Sequence, residues 1–318
     1  MVWILYALLT FLVIWSIATI ALWAAYVPSV VQAFSQTPRL IPDPGTPLEE
    51  GEDCTFQSND GFALKGTYLR TPALTRLGVI VFCHELAADR WAAPAYVADL
   101  RERGFDVFTF DFRNHGQSDT DENYEPMPWL TEFEVADMQA AVNYVCSRPD
   151  ADERGIGMLG ISRGGTAALY VAARDPRIVA IATDGAFGTE LMQIFYIHRF
   201  MAIYTAYARL IAKIPDRLLI TLGWWAQWII GRRRGCRFVA VERQLRRVRQ
   251  PCLIIHGERD SYVPLNVSTE LQRLIGGRTR RWDVEGAKHN QAIKLATDEY
   301  HRHLARFFQK HLAAGRRR

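Results

Sequence analysis

Five short runs in the chain are apolar for most of their length: GVIVFCH, FDVFTFD, GIGMLGIS, VAIATDGAF and QPCLIIHG. A strand with one wet face alternates apolar and polar residues, whereas a continuously apolar, β-branched run fits a strand buried on both faces. Between these runs lie helical patterns. APAYVADLRERG is amphipathic and closes on a glycine, and WLTEFEVADMQAAVNYVCSR and GGTAALYVAARDP follow in the same style. Strands that alternate with helices need crossover connections. They build an α/β fold with a mostly parallel central sheet and helices on both faces. Ahead of them, CTFQSNDGFALKGTYLR predicts a hairpin turning at Asn59-Asp60-Gly61. TRRWDVE predicts a last strand, and QAIKLATDEYHRHLARFFQKHLAA one long final helix.

Two segments stand outside this alternation. Residues 188–247 lie between two strands and are helical in pattern and rich in aromatics. Such an insertion is expected to cap the carboxyl ends of the strands, where sites form in open α/β sheets, and to line a substrate pocket. The remaining core is then 52–187 with 248–318. The second segment is VWILYALLTFLVIWSIATIALWAAYV near the N-terminus, which carries no charge. It has the roughly 20 apolar residues that a helix needs to cross a bilayer. Trp3, Tyr6, Trp23 and Tyr26 stand towards its ends, as interfacial aromatics do. A signal peptide has a positive leading region and a shorter apolar core. The reading favoured is therefore a single uncleaved transmembrane anchor over 1–27, followed by a Pro-rich linker over 28–51. Arg39, the basic residue near that end, leans the catalytic portion towards the cytoplasm. The side is otherwise open.

Composition excludes several classes. A formal net charge of +4 in 318 residues gives no basis for nucleic-acid binding. Cys54, Cys83, Cys146, Cys236 and Cys252 show neither a C-x-x-C pair nor zinc-like spacing, so buried free thiols are expected rather than a disulfide framework. No metal-ligand set and no phosphate loop occurs, and no cofactor is expected. Oligomeric state is not legible.

The chemistry centres on GISRGG, residues 160–165, between a strand and a helix. In that setting G-x-S-x-G is a sharp turn that exposes the serine hydroxyl, with flanking glycines letting strand and helix approach. Ser162 also starts a helix, where free N–H groups favour developing negative charge. A serine needs a base. Of eight histidines, His289 in VEGAKHNQ lies in a loop after the last strand. His301, His303 and His311 fall in the final helix, and His256 ends a strand, facing either core or acid loop. The acid is Asp260 in GERDSYVP, with Glu258 and Asp184 as rivals. For the oxyanion, donors are expected from the N–H of Arg163 and from the loop around Glu85 or Leu86. The Arg163 side chain stands either at the site mouth, as an anion contact, or in a salt bridge.

The order His84-Glu85, DFRNHGQSD, GISRGG, HGERDSYVP, GAKHN resembles the α/β-hydrolase superfamily. Within it the likeness is to membrane-anchored abhydrolase-domain proteins and monoacylglycerol-lipase-like or serine-aminopeptidase-like serine hydrolases. It covers roughly 52–312. The resemblance implies a Ser162–Asp260–His289 triad. It also implies that Asp111, Arg113, His115, Gly116 and Ser118 form a structural loop. One departure stands out: the family commonly has His-Gly where this chain has His84-Glu85, which places a carboxylate near a site that must hold an oxyanion. The expected function is hydrolysis of an ester, thioester or related acyl bond, on an apolar or lipid-like substrate at a membrane. Two alternatives stay open. One is a non-catalytic, membrane-tethered binding protein of the same fold, and the other is a peptidase or acyltransferase on that scaffold.

Overall fold

The computed structural model describes residues 2–36, 45–47, 50–204 and 213–313. By compactness the chain divides into two units, Pro38–Met192 with Phe238–Arg318, and Met1–Thr37 with Gln193–Arg237. The expected linker at 28–51 falls partly outside the described residues, as do Arg39 and part of the insertion at 188–247.

The larger unit contains an eight-stranded sheet. Its strands are β1 (Glu52–Gln57), β2 (Ala63–Leu69), β3 (Gly78–Cys83), β4 (Phe105–Phe110), β5 (Ile156–Ile161), β6 (Ile178–Asp184), β7 (Cys252–Gly257) and β8 (Thr279–Val284), in the order β1-β2-β4-β3-β5-β6-β7-β8. β1 and β2 form the expected hairpin, with Phe56 opposite Leu64, and β2 meets β4 antiparallel. Every other pairing is parallel.

The period of two explains why β3 is apolar throughout. Val79, Val81 and Cys83 enter one core, with Met138 and Val142 of the helix Glu132–Ser147 and Leu169 of the helix Arg163–Ala172. Ile80 and Phe82 enter the opposite core, with Val97 and Leu100 of Ala93–Glu102 and Leu304 and Phe308 of Thr297–His311. Helices on both faces thus leave no wet side for a polar residue.

In chain order we call the helices α1 (Val2–Ser35), α2 (Ala93–Glu102), α3 (Glu132–Ser147), α4 (Arg163–Ala172), α5 (Thr189–Tyr204), α6 (Asp216–Arg234), α7 (Glu242–Leu245), α8 (Leu265–Leu274), α9 (Ala292–Leu295) and α10 (Thr297–His311). α3 starts on a capping box. The Thr131 hydroxyl accepts from the Phe133 N–H at 3.3 Å, and the Glu134 carboxylate accepts from the Thr131 N–H at 2.9 Å.

Two boundaries differ from expectation. The expected single final helix is broken at Ala296, where φ is −134° and ψ is 50°. The Thr297 hydroxyl donates to Ile293 O at 2.8 Å there, a local bond that competes with the helical ladder. The N-terminal helix also runs past the expected end at Val27, through Pro28, to Ser35. Proline removes one N–H, which costs a helix bond. Here the helix continues because Val30, Val31 and Phe34, spaced along one face, are buried.

In the smaller unit α1 runs beside α6, with the Trp23 and Trp225 rings 5.7 Å apart, edge to face. The buried Gln193 and Gln227 amides hydrogen-bond at 2.8 Å. α1 is long and apolar enough to cross a membrane, with a mean hydropathy of 2.3 over its most apolar window, and none of that window is buried. A signal sequence satisfies the same criterion.

Thr131→Ala removes the cap of α3 and is expected to lower stability by about 1–2 kcal/mol. Urea unfolding of the detergent-solubilised full chain measures this, and Thr131→Ser should restore most of the loss.

Candidate active site

The parallel strands deliver their carboxyl ends to one edge of the sheet, and each element of the candidate site follows such an end. Ser162 follows β5, Glu85 and Leu86 follow β3, Asp184 closes β6, Asp260 follows β7 and His289 follows β8.

Ser162 sits at φ 50°, ψ −117°, a backbone conformation that side chains rarely adopt. Its N–H donates to Asp184 O at 2.7 Å. A Cβ on Gly160 would stand 2.5 Å from Gly165 Cα, and one on Gly164 would stand 2.4 Å from Cys83 O. Only glycine permits the strand, the helix and the β3 terminus to meet this closely.

The structure brings Ser162, His289 and Asp260 together. Ser162 Oγ lies 2.9 Å from His289 Nε2, and His289 Nδ1 lies 2.6 Å from Asp260 Oδ2. The other Asp260 oxygen accepts from the Tyr262 and Val263 N–H groups, both at 2.8 Å. The carboxylate is therefore held on both sides, and its bond to Nδ1 leaves Nε2 free to take the serine proton. The rivals stand apart. Glu258 is exposed. Asp184 is buried close to the histidine but makes no hydrogen bond to it. Burial pushes its carboxyl up to about 7, against the attraction of His289 and the buried Tyr300 hydroxyl. His256 is buried in the core, and burial holds its pKa below the ordinary value.

The charge on His289 is contested. Burial disfavours it. The hydrogen bond to Asp260, together with the charges of Asp260, Glu85 and Asp184, outweighs burial and leaves the pKa above the ordinary histidine value.

The loop after β3 is braced by His84. Its Nε2 accepts from the Phe112 N–H at 3.2 Å, so its Nδ1–H donates to Glu85 O at 2.7 Å. Burial depresses the His84 pKa to about 3 and keeps the ring neutral, as this double role requires. Leu86 is buried beside it and Ala87 takes a φ of 65°. The Glu85 carboxylate accepts from Asn290 Nδ2. Asn290, at φ 54°, follows the histidine directly.

Sequence reasoning missed Asn290, although asparagine is among the residues that best tolerate this conformation. It also missed Tyr262, whose ring centroid lies 5.6 Å from that of His289.

Arg163 resolves to the salt-bridge alternative. Its guanidinium turns inward, donating to Met127 O at 3.0 Å, to Glu134 at 3.2 Å and to His115 Nε2 at 3.1 Å. It does not stand at the site mouth, because a buried glutamate on α3 and a carbonyl satisfy it. His115 donates from Nδ1 to Arg113 O at 2.8 Å, and burial lowers its pKa to about 3. Asp111 receives Arg90, and Arg113 spans Asp137 and Asp60. The whole segment is a brace.

With this geometry in place, the comparisons agree on the fold. An α/β-hydrolase-fold family model matches residues 78–224. The chain is 30% identical over 153 residues to the uncharacterized protein YfhR of Escherichia coli K12, which covers 46% of the chain and 50% of YfhR. It thus spans about half the length of that curated relative. An uncharacterized protein of Mycobacterium tuberculosis H37Rv is 25% identical over 79% of the chain and 76% of its own length. Among solved structures, the Pyrococcus furiosus esterase Pf2001 superposes with a TM-score of 0.64 at 18% identity, covering 87% of this chain and 98% of the esterase. The acylaminoacyl peptidase of Pyrococcus horikoshii gives 0.58 at 15% identity, covering 83% of this chain and 42% of the peptidase. The chain has the α/β-hydrolase fold.

A base must be neutral to accept a proton, so a raised histidine pKa delays activation as pH rises. The rate of labelling by a fluorophosphonate should reach half its maximum above about pH 6.5, the ordinary histidine value. Glu85→Gln removes one of the charges that raise His289, so the half-point should move to lower pH. An unmoved half-point would show that the Glu85 charge does not reach the ring.

Proposed function

We propose that the chain is a serine hydrolase that cleaves a carboxylic ester, thioester or related acyl bond. The observation that carries this reading is the continuous hydrogen-bonded line Ser162–His289–Asp260 at the carboxyl edge of the sheet. In it His289 takes the Ser162 proton as Oγ attacks the acyl carbonyl. Asp260 stabilises the imidazolium that results. The oxyanion is received by the N–H groups of Arg163, first in its helix, and of Leu86. Collapse expels the alcohol or thiol, which takes its proton from His289. The acyl-enzyme is then hydrolysed by a water that His289 deprotonates. The substrate is a small acyl compound, apolar or lipid-like. α1 anchors the enzyme in the bilayer from which such a substrate comes.

The non-catalytic alternative is disfavoured by the geometry itself. A binding protein has no use for a serine at φ 50° in line with a buried histidine and carboxylate. The strain at such a residue costs about 1–3 kcal/mol and belongs with a mechanism.

Ser162→Ala should abolish fluorophosphonate labelling and lower turnover of p-nitrophenyl esters by about 10⁶-fold, and Asp260→Asn by about 10⁴-fold. Asp184→Asn, which alters the rival acid, should cost far less. A series of esters from butyryl to palmitoyl reads the acyl preference. Folded wild-type chain that neither labels nor turns over any ester would overturn the proposal, and a better-labelled Glu85→Gly would place the fault in the oxyanion loop.

A further inference from the structure

On the reading of α1 as a membrane span, its length has a consequence. Its 34 residues extend about 51 Å at 1.5 Å per residue. The hydrocarbon core is about 30 Å thick, which roughly 20 residues cross. The last turns of α1 therefore rise through and beyond the head-group layer. Trp23 marks the boundary. Its ring packs on Trp225 of α6, and Trp225 and Trp228 keep 48% and 55% of their surface exposed. Tryptophan favours that depth. From there α1 and α6 rise side by side, and a cleft of about 510 Å³ opens along them.

The lining of the cleft changes character along its length. Val27, Val31 and Ile229 supply an apolar part, and Gln32, Ser35 and Arg233 a polar one. Ser35 donates its hydroxyl proton to Val31 O at 2.7 Å, which leaves its oxygen as an acceptor. Arg233 belongs to the run Arg232–Arg233–Arg234 in the last turn of α6. Arg232 reaches back one turn, its guanidinium 5.6 Å from the centre of the Trp228 ring. Cations thus stand just above a belt of exposed tryptophans, beside a groove that is apolar below and polar above.

We propose that this cleft binds the head group of an anionic phospholipid. The first acyl carbons lie against Val27, Val31 and Ile229, the phosphate meets Arg233 with Arg232 adding its charge from beside the cleft, and a head-group hydroxyl donates to Ser35. A zwitterionic head group would bring its ammonium towards Arg233 and the neighbouring Arg232, so the cleft discriminates by charge. Basic residues at a membrane surface each add about 1 kcal/mol of attraction for anionic lipid.

The test uses the full chain, purified in detergent and offered dioleoyl phosphatidylglycerol or dioleoyl phosphatidylcholine, with retained lipid counted by native mass spectrometry. The wild type should retain phosphatidylglycerol about tenfold or more over phosphatidylcholine. Arg232→Gln with Arg233→Gln should bring the ratio close to one, and the corresponding lysine pair should keep most of it with an unchanged circular dichroism spectrum. Equal retention of both lipids by the wild type would overturn the proposal, and so would a preference that survives in the glutamine pair. Displacement of the lipid by inorganic phosphate alone would assign the cleft to the free ion and overturn the lipid reading. Release of the wild type from membranes by alkaline carbonate would overturn the span and the lipid site with it. None of these readouts involves Ser162, so they fail or succeed independently of ester turnover.

Discussion

The close approach at Gly160 and Gly164 is the constraint from which the rest of the site follows. A strand, a helix and the end of a second strand meet there at distances that no side chain allows. Ser162 is thereby forced to φ 50°, and its N–H bond to Asp184 O ties the turn to a third strand, β6. Three adjacent parallel strands are pinned at one point. Once that point is fixed, the strand order places the loops after β7 and β8 beside it, and these carry Asp260 and His289. The local strain is over-determined by its surroundings, which is the condition under which such strain persists.

Around His289 the same low-dielectric setting treats three carboxyls in three ways. Asp260 accepts hydrogen bonds from two backbone N–H groups and pairs with the ring nitrogen. Burial lifts Asp184 to about 7, against the attraction of His289 and the Tyr300 hydroxyl. Glu85 is half-buried and pinned by the Asn290 amide. The hydrogen bond to His289 Nδ1, rather than proximity to the ring alone, sets Asp260 apart from its neighbours as the proposed acid. The cost of the arrangement is a histidine that stays protonated longer than usual. On the proposed mechanism its benefit is an imidazolium stabilised at the step where the serine proton arrives.

How much of this was legible in the sequence depended on the range of the interaction responsible. The strands were readable because burial on both faces writes itself into consecutive residues, and the turn at Ser162 because glycines two before and two after it are local. The tight turn expected at Asp260 is there, closed by the Tyr262 and Val263 N–H bonds to its carboxylate. The inward turn of Arg163 was not readable, since its partner Glu134 is 29 residues away. The Glu85–Asn290 contact spans 205 residues. The extension of α1 through Pro28 also escaped notice. A proline in a stretch rich in turn formers signals a stop, and what overrides it is the tertiary burial of Val30, Val31 and Phe34.

Arginine shows why net charge alone says little about such a chain. Arg113 bridges two aspartates, one fully buried, while Arg163 serves a glutamate, a carbonyl and an imidazole. A planar fork with five donors can satisfy several acceptors at once, which a lysine ammonium on a flexible stem cannot do with the same geometry. Taking such a charge out of water costs several kcal/mol, and the cost is met only when every partner is in place. These arginines are therefore structural, and they fix the loop on which Ser162 and His84 depend. Arg232, in the last turn of α6, stands over the Trp228 ring one turn below. In the core the guanidinium answers a buried anion of the chain itself. At the end of α6 the proposed lipid site would use the same group for an anion from outside the chain.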